Sequence, residues 1–442
     1  MQFPNISPSR FPHRLQVLIV WLAMTLLVLL IFNLSAIDTP ASEWVPAKPD
    51  YLKHVSLWDA TWYHRIVIGG YPDKLSYYET NGHVRQNTWA FMPVFPLLGK
   101  TLASMVSDGV GRSYFACAVV VSWISSAAVA LGLDAWLCPR VGKRASLLGV
   151  ALFFSFAPAI IMQVAYAESL TLALLTFGFI LLTKRRFIWA VMLFGIAELT
   201  RPIGVPLGAT IGLWWFWEEL RARGIVSPTS RFDSSFLPFK KPANTAGNVS
   251  DGVVATATTP LDISPTPLSK KERVWLFVIA IITCAGALFW PAFAWFITGV
   301  PTAYTDTETT WRGSGHLAPF EPWIKEATTF GGPNSGIVAL IAVLVLSICA
   351  LSSCQLRKLG RLAWMWCVCY WVYLLVFFDP SSSILRMLLA MAPLAWVLGV
   401  KLSNHLRAAV AFIALSVVSQ VLWIAWIWDA YSLSLGKIYW TP

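Results

Sequence analysis

Runs of about twenty apolar residues recur along the chain, and they constrain its fold more than any other feature. A helix of this length crosses the roughly 30 Å hydrocarbon core of a bilayer. Only 12% of the 442 residues are charged, against about 25% in a typical soluble domain. These observations predict an all-α polytopic membrane protein with about 11 transmembrane helices, at residues 15–37, 113–137, 145–165, 168–183, 187–200, 204–219, 274–299, 336–354, 362–378, 384–400 and 408–427.

The distribution of charge gives the expected orientation. A net charge of +11 could suggest a nucleic-acid partner. With the N-terminus inside, however, 21 of the 33 Lys and Arg residues fall in inner segments, whereas the acidic residues favour outer ones. This asymmetry follows the positive-inside rule. We therefore expect a multi-pass protein of the cell membrane that contacts membrane lipids and no nucleic acid, with its C-terminus outside.

The segments between the apolar runs predict the domain organisation. The first run is longer than the apolar core of a signal peptide, so it is interpreted as an anchor. The segment 220–273 is rich in Ser, Thr, Pro and Gly, which is typical of a disordered linker. The predicted parts are a cytoplasmic N-terminus (1–14), the first transmembrane helix (15–37), an outer loop with interfacial helices (38–112), transmembrane helices (113–219), a cytoplasmic linker (220–273), a transmembrane helix (274–299), an outer loop (300–335), transmembrane helices (336–427) and an outer tail (428–442).

Neither cysteines nor histidines indicate a cofactor. All seven cysteines lie in apolar runs or near their inner ends, so no outer disulfide framework is expected. Cys367 and Cys369 sit inside an apolar helix, where packing is the common role. His54, Asp59 and His64 are spaced by five residues, which does not place two ligands on one helix face. We expect no metal and no cofactor.

Asp59 is the first candidate for chemistry, because a carboxylate stands among aromatic residues just where the chain leaves the bilayer. Partial desolvation at that boundary makes a carboxylate a better base, able to take a proton from an acceptor hydroxyl. The alternative is a helix cap within an aromatic interfacial belt. His64 could be an acid–base partner, and Arg65 could contact a phosphate.

Three further ionisable residues lie at the outer membrane boundary, where charges are costly and usually paired or functional. Glu168 begins an apolar run and could simply suit a helix N-terminus. Arg201 lies between two apolar runs, and Arg386 lies one turn into another. Nothing local neutralises Arg386, so it needs an acid from another helix or an anionic ligand. A lipid phosphate suits the arginine fork.

The outer loop "AYTDTETTWRG" adds Trp311 and Arg312 as weaker candidates. Aromatic faces beside charged groups suit sugar rings and hydroxyls, but such residues also occur in any solvated loop.

Taken together, these motifs resemble the PIG-V family, the glycosylphosphatidylinositol mannosyltransferase 2 type of membrane enzyme, in an actinobacterial form. They occur in the order of that family across most of the chain. The matching pieces are "WDATWYHRIVIGGYP" (58–72), "FMPVFPLLGK" (91–100), "AYAESLTLALLTFGFILL" (165–182), "AVMLFGIAELTRPIGVPL" (190–207), "GVPTAYTDTETTWRG" (299–313) and "SSILRMLLAMAPL" (382–394).

The resemblance implies a GT-C glycosyltransferase fold and an inverting mannosyltransferase. Such enzymes take the sugar from a polyprenyl-monophosphate donor on the extracytoplasmic face and pass it to a glycolipid or another cell-envelope acceptor. In that family the first outer loop supplies the acidic catalytic residue, which falls on Asp59 and would act as the base. We further expect Arg201 and Arg386 to hold the donor phosphate. The residues that would contact sugar or acceptor are Trp58, Trp62, Tyr63, His64, Glu168, Trp311 and Arg312.

Other functions stay open at this point. The donor sugar could be arabinose or glucose. A lipid-linked sugar flippase would predict ionisable residues near mid-membrane and two related halves, but the charges cluster at the outer boundary and no such symmetry is visible. A non-catalytic scaffold would not need an isolated Arg386.

Overall fold

The computed structural model describes residues 11–41, 45–80, 82–226, 268–312, 319–332, 334–380 and 383–429. The predicted disordered linker falls mainly on 227–267 and the predicted outer tail mainly on 430–442, so both expectations lie largely outside the described residues.

The secondary structure of the described residues is helical, with no named strand among them, which confirms the all-α prediction. One isolated bridge, between Tyr77 and Val84, is the extended pairing among them. The α-helices are α1 (His13–Ala36), α2 (Tyr51–His54), α3 (Asp59–Gly69), α4 (Val94–Val106), α5 (Val110–Val141), α6 (Lys143–Ser155), α7 (Glu168–Thr183), α8 (Phe187–Glu198), α9 (Gly204–Ala222), α10 (Lys270–Gly286), α11 (Phe289–Thr298), α12 (Ala303–Arg312), α13 (Glu321–Gly331), α14 (Ser335–Leu351), α15 (Cys354–Lys358), α16 (Arg361–Phe377), α17 (Ile384–Met387), α18 (Pro393–Leu402) and α19 (Leu406–Trp423).

Each predicted apolar run coincides with a helix or a pair of helices, but not every one is a long span. Among the described residues, four helical segments are long and apolar enough to cross a membrane, and six are if each sharply bent pair counts as one. Five other apolar helices of this part of the chain, including α7, α8 and α16, are shorter than 18 residues. The predicted count of 11 crossings therefore remains a prediction.

Two of the predicted crossings are bent, which corrects their interpretation as continuous helices. The run 145–165 is α6 followed by a 3₁₀ helix at Ala157–Gln163, at an angle of 87°. The run 384–400 bends by 72° between Met391 and Pro393. Proline follows each break closely, and it cannot donate the amide hydrogen bond that would continue the preceding helix. The first bend places Tyr166 and Glu168 beside the outer loop.

The segment predicted as the first outer loop folds onto the bundle instead of standing in solvent. Helix α4 packs on α5, and a Cβ at Gly99 would lie 2.7 Å from the Tyr114 ring, so the two helices approach closely because position 99 has no side chain. The opposite face of α4 exposes Leu97 and Leu98. The interfacial position of this helix stays a prediction. Helix α3 lies on α4 and α5 and carries Asp59 at its start.

Ion pairs join residues that the charge pattern assigns to the inner side. Arg185 contacts Glu272 at 2.9 Å, and Arg361 contacts Glu218 at 3.0 Å. These pairs link the turn between α7 and α8 to α10, and α9 to α16. Residues that are predicted to lie on the same side of the membrane therefore form ion pairs with one another.

Candidate active site

Four charged side chains from distant parts of the sequence meet where the first outer loop reaches the bundle. Arg386 Nη1 lies 2.7 Å from Asp59 Oδ2 and 3.7 Å from Glu168 Oε1. Arg201 Nη1 donates to the same Glu168 oxygen at 2.9 Å. Asp59, Arg386, Glu168 and Arg201 thus form a chain of alternating charges, referred to here as the ionic cluster.

The backbone before Asp59 is held in an unusual conformation. Trp58 has φ 59° and ψ −123°, a region that side-chain-bearing residues rarely adopt. Its indole N–H donates to the carbonyl of Trp428 at 2.9 Å. Because Asp59 is the first residue of α3, this turn fixes where its carboxylate points. Strain of this kind persists only where the surroundings impose it, and it is concentrated at functional sites.

Tyr166 contacts two members of the ionic cluster. The Asp59 amide donates to the Tyr166 hydroxyl at 3.2 Å. The Arg386 guanidinium carbon lies 5.5 Å from the centre of the Tyr166 ring, within the range of a cation–π contact. Tyr166 therefore touches both the acid and the arginine and fixes their relative positions.

The ionic cluster is largely withdrawn from water and incompletely paired. Side-chain exposure is 9% for Glu168, 10% for Arg386, 15% for Asp59 and 17% for Arg201. Two acids and two arginines balance in charge. Among the described residues, however, Glu168 Oε2 and Arg386 Nε are buried without a hydrogen-bond partner. Buried polar atoms in proteins are nearly always satisfied, so water or a ligand is expected to complete the site.

A small cavity opens beside the arginines. Its volume is about 40 Å³, enough for water but not for a sugar ring. Glu168, Arg201 and Arg386 form its polar side. Its apolar side is formed by Leu172, Leu175, Ile203, Trp366, Tyr370, Met387, Leu389 and Ala390, with Thr171 between. Asp59 does not line the cavity and reaches it through Arg386.

Tyr63 lies on the outer side of the ionic cluster. It is buried against Phe91 and Phe95. Burial raises the pKa of Tyr63 well above its ordinary value, so the phenol stays neutral at physiological pH. The charges of Arg201, Glu168 and Asp59 also act on the phenol.

The other predicted sugar-binding residues lie outside the ionic cluster. Trp62 has the Arg65 guanidinium 4.1 Å from its ring centre and stacks on Phe91. Trp311 meets Trp62 edge to face and is 37% exposed. The contact between Trp62 and Trp311 therefore joins the two predicted outer loops. The Trp62 ring, however, is already in contact with Arg65 and Phe91.

His64 turns away from Asp59. Its Nε2 lies 3.0 Å from the carbonyl of Gly111, and its ring packs on Tyr114 and Phe115. This placement does not bring His64 to the predicted acid–base position. Arg312 ends α12, and its side chain lies outside the described residues.

Sequence reasoning missed two parts of the site. Tyr166 stands two residues before Glu168, and an aromatic residue next to a boundary acid is the signal that could have indicated it. The second part is a clamp formed by His54 and Asp429. Asp429 contacts the His54 ring and accepts a hydrogen bond from Ser35 at 2.7 Å. Its sequence neighbour Trp428 anchors Trp58, and this long-range contact leaves no local pattern.

No protein-family model and no curated protein matches this chain. The resemblance to the PIG-V family therefore stays a hypothesis. Solved structures of the oligosaccharyltransferase of Archaeoglobus fulgidus are similar to it. The complex with Zn and sulfate is 15% identical over 95% of this chain, with a TM-score of 0.42. The complex of that enzyme, AglB, with an inhibitory peptide and a dolichol-phosphate is 14% identical over 96%, also at 0.42.

The chain spans only about half the length of these structures, 52% and 56% respectively. A TM-score below 0.5 carries no inference about function. The all-helical architecture is established by the chain's own helices, and the GT-C fold remains a prediction.

Proposed function

We propose that this protein is a membrane glycosyltransferase that takes a sugar from a polyprenyl-monophosphate donor and transfers it to a hydroxyl acceptor. The observation that carries the proposal is the ionic cluster. Two arginines and two acids, drawn from the first outer loop and three later segments, meet beside a cavity with an apolar side. A phosphate attached to a lipid needs this combination of cations and apolar surface.

Arg201 and Arg386 would hold the donor phosphate. Both guanidinium groups reach the cavity, and Arg386 Nε has no hydrogen-bond partner among the described residues. As the sugar leaves, negative charge grows on the phosphate oxygen. Fixed cations in a poorly hydrated site stabilise that charge more than water does.

Asp59 would act as the general base. The acceptor hydroxyl attacks the anomeric carbon and gives its proton to Asp59, while the bond from that carbon to the phosphate oxygen breaks. The products are the glycosylated acceptor and the polyprenyl phosphate. Attack opposite the leaving phosphate inverts the anomeric configuration.

The present contacts suggest how donor and base are coupled. Arg386 Nη1 lies 2.7 Å from Asp59 Oδ2, so this contact occupies the oxygen that an acceptor hydroxyl would need. A donor phosphate would compete for Arg386 and release the Asp59 carboxylate. Glu168 would keep Arg201 and Arg386 in place during the exchange, since one of its oxygens contacts both.

The membrane side of the site and the identity of the donor sugar are both inferred from the sequence. The charge pattern assigns Asp59, Glu168, Arg201 and Arg386 to outer segments, and their contact with one another supports an extracytoplasmic site in the cell membrane. Mannose as the donor sugar and a glycolipid or cell-envelope acceptor follow from the PIG-V resemblance.

The direct test is Asp59→Asn, which keeps the size of the side chain and removes its basicity. Membranes containing the variant are supplied with radiolabelled polyprenyl-phosphate-mannose and acceptor lipid extract. Loss of a positioned base lowers the rate by about 10²–10⁴-fold. Asp73→Asn is the matched control, since Asp73 is an exposed acid of the same outer loop and should leave the rate unchanged.

The same membranes distinguish the alternatives. Normal transfer by a folded Asp59→Asn variant would refute the role of the base. Arabinose or glucose donors replace mannose in parallel assays and identify the sugar. Proteoliposomes that move the lipid-linked sugar across the bilayer without transferring it would instead indicate a flippase.

A further inference from the structure

Three side chains of the types that commonly bind metals meet at the end of the bundle that the charge pattern assigns to the inner side. His13 begins α1, and Asp134 and Cys138 are one turn apart near the end of α5. His13 Nε2 lies 2.9 Å from Asp134 Oδ1 and 3.5 Å from Cys138 Sγ. All three potential ligand atoms lie within 4.8 Å of one another. None of these residues belongs to the ionic cluster.

The spacing fits a single small metal ion. Zinc bonds to nitrogen and oxygen at about 2.0–2.2 Å and to sulfur at about 2.3 Å, so its tetrahedral ligands stand roughly 3.3–3.8 Å apart. The His13–Cys138 distance falls in that range, and small side-chain rotations would separate His13 from Asp134 by the missing few tenths of an ångström. Imidazole, carboxylate and thiolate together favour zinc-type ions over calcium or magnesium.

The surroundings orient the carboxylate as an outer shell does in metal sites. Ser146, in the first turn of α6, donates to Asp134 Oδ1 at 2.6 Å. Trp396 in turn donates its indole N–H to Ser146 Oγ at 2.9 Å. Such relays hold a metal-ligating carboxylate in place and strengthen binding. Asp134 is 7% exposed and His13 is 13% exposed, so a protonated His13 or a metal ion must offset the desolvation of the carboxylate.

We propose that His13, Asp134 and Cys138 bind one zinc-type divalent ion, with water in the fourth position. The ion would replace the proton shared by His13 and Asp134 and the thiol proton of Cys138, and both protons would pass to solvent. Since the ligands come from α1 and α5, and Ser146 comes from α6, the ion would tie the start of the first helix to the bundle. This structural role is independent of the proposed sugar transfer.

The test measures metal content directly. The full chain is purified in detergent without chelator, loaded with zinc, desalted and analysed by mass spectrometry for metals. Wild type should hold roughly one zinc per chain, and Cys138→Ser and Asp134→Asn should each hold at least about tenfold less. The matched control is Cys354→Ser, because Cys354 is an exposed cysteine outside this site and its loss should not change the zinc content.

Cobalt provides a second readout, whose main observation is made on the folded wild type. Cobalt-loaded wild type should show the near-ultraviolet absorption of a cobalt–thiolate bond, and Cys138→Ser should lack it. The proposal is overturned if loaded wild type retains no zinc, if no thiolate band forms, or if Cys354→Ser loses as much metal as Cys138→Ser.

Discussion

Replacing Arg386 by Gln should expose how strongly the ionic cluster depends on one cation. Arg386 is 10% exposed, and its Nη1 lies 2.7 Å from Asp59 and 3.7 Å from Glu168. Glu168 keeps Arg201 as a partner at 2.9 Å after the substitution. Asp59 would be the residue left with an unpaired and largely buried carboxylate.

The magnitude follows from that imbalance. Removing one partner of a buried ion pair costs about 3–5 kcal/mol, and we expect the low end, about 3 kcal/mol, because Asp59 keeps some contact with water. Asp59→Asn should cost less, about 2 kcal/mol, because Arg386 retains Glu168. In the double variant neither charge is left alone. We therefore expect the double variant to be destabilised by about 3 kcal/mol. This is about 2 kcal/mol less than the sum of the two single variants, and that difference is the coupling energy.

The assay is reversible unfolding in mixed detergent micelles, followed by tryptophan fluorescence. The four proteins of the cycle are compared with a second cycle in which Asp73→Asn replaces Asp59→Asn. Asp73 is exposed, so that control cycle should be additive within about 0.5 kcal/mol. Equal additivity in the Asp59 cycle would refute the ion pair as a stabilising contact and remove the main support for the proposed site.

Three further predictions concern packing, the cavity and the clamp. Gly178→Ala should lower the free energy of unfolding by about 1–3 kcal/mol in the same assay, since its Cβ would overlap the Phe194 ring, whereas Gly195→Ala, with nothing within 4 Å, should not destabilise the protein. Leu172→Trp should fill the cavity and raise the KM for the lipid donor more than the KM for the acceptor, which initial-rate kinetics would measure; an unchanged donor KM would place the donor elsewhere. Asp429→Asn should leave the buried His54 ring without its charged partner and cost about 1–3 kcal/mol, and it should lower kcat for sugar transfer; unchanged stability would show that the clamp does not hold the outer loop.

Several features of the site were visible in the sequence because their signals are local. Arg386 stands in an apolar run with no nearby acid, so a partner from elsewhere or an anionic ligand was required. Asp59 and Glu168 supply that partner. Glu168 and Arg201 were recognisable in the same way, as charges at the ends of apolar runs.

Other expectations depended on orientation, which sequence alone does not give. His64 follows Asp59 by about one helical turn, and the sequence analysis offered it as an acid–base partner. Helix α3 instead turns the His64 ring towards Gly111 and α5. The contact of Tyr166 with Asp59 depends on the 87° bend after α6. The periodicity of apolar residues does not indicate such a bend.

The sequence by itself determined the all-helical membrane architecture, since apolar length and charge asymmetry are set by the cost of placing polar groups in hydrocarbon. It also identified the charged residues within or next to apolar runs, whose placement costs enough free energy that a pairing or functional role is expected. Only the tertiary structure decided which of them meet, because Asp59 and Arg386 are separated by 327 residues and their contact depends on how helices bend and pack. The same holds for His13, Asp134 and Cys138, whose proximity rests on the packing of α1 against α5.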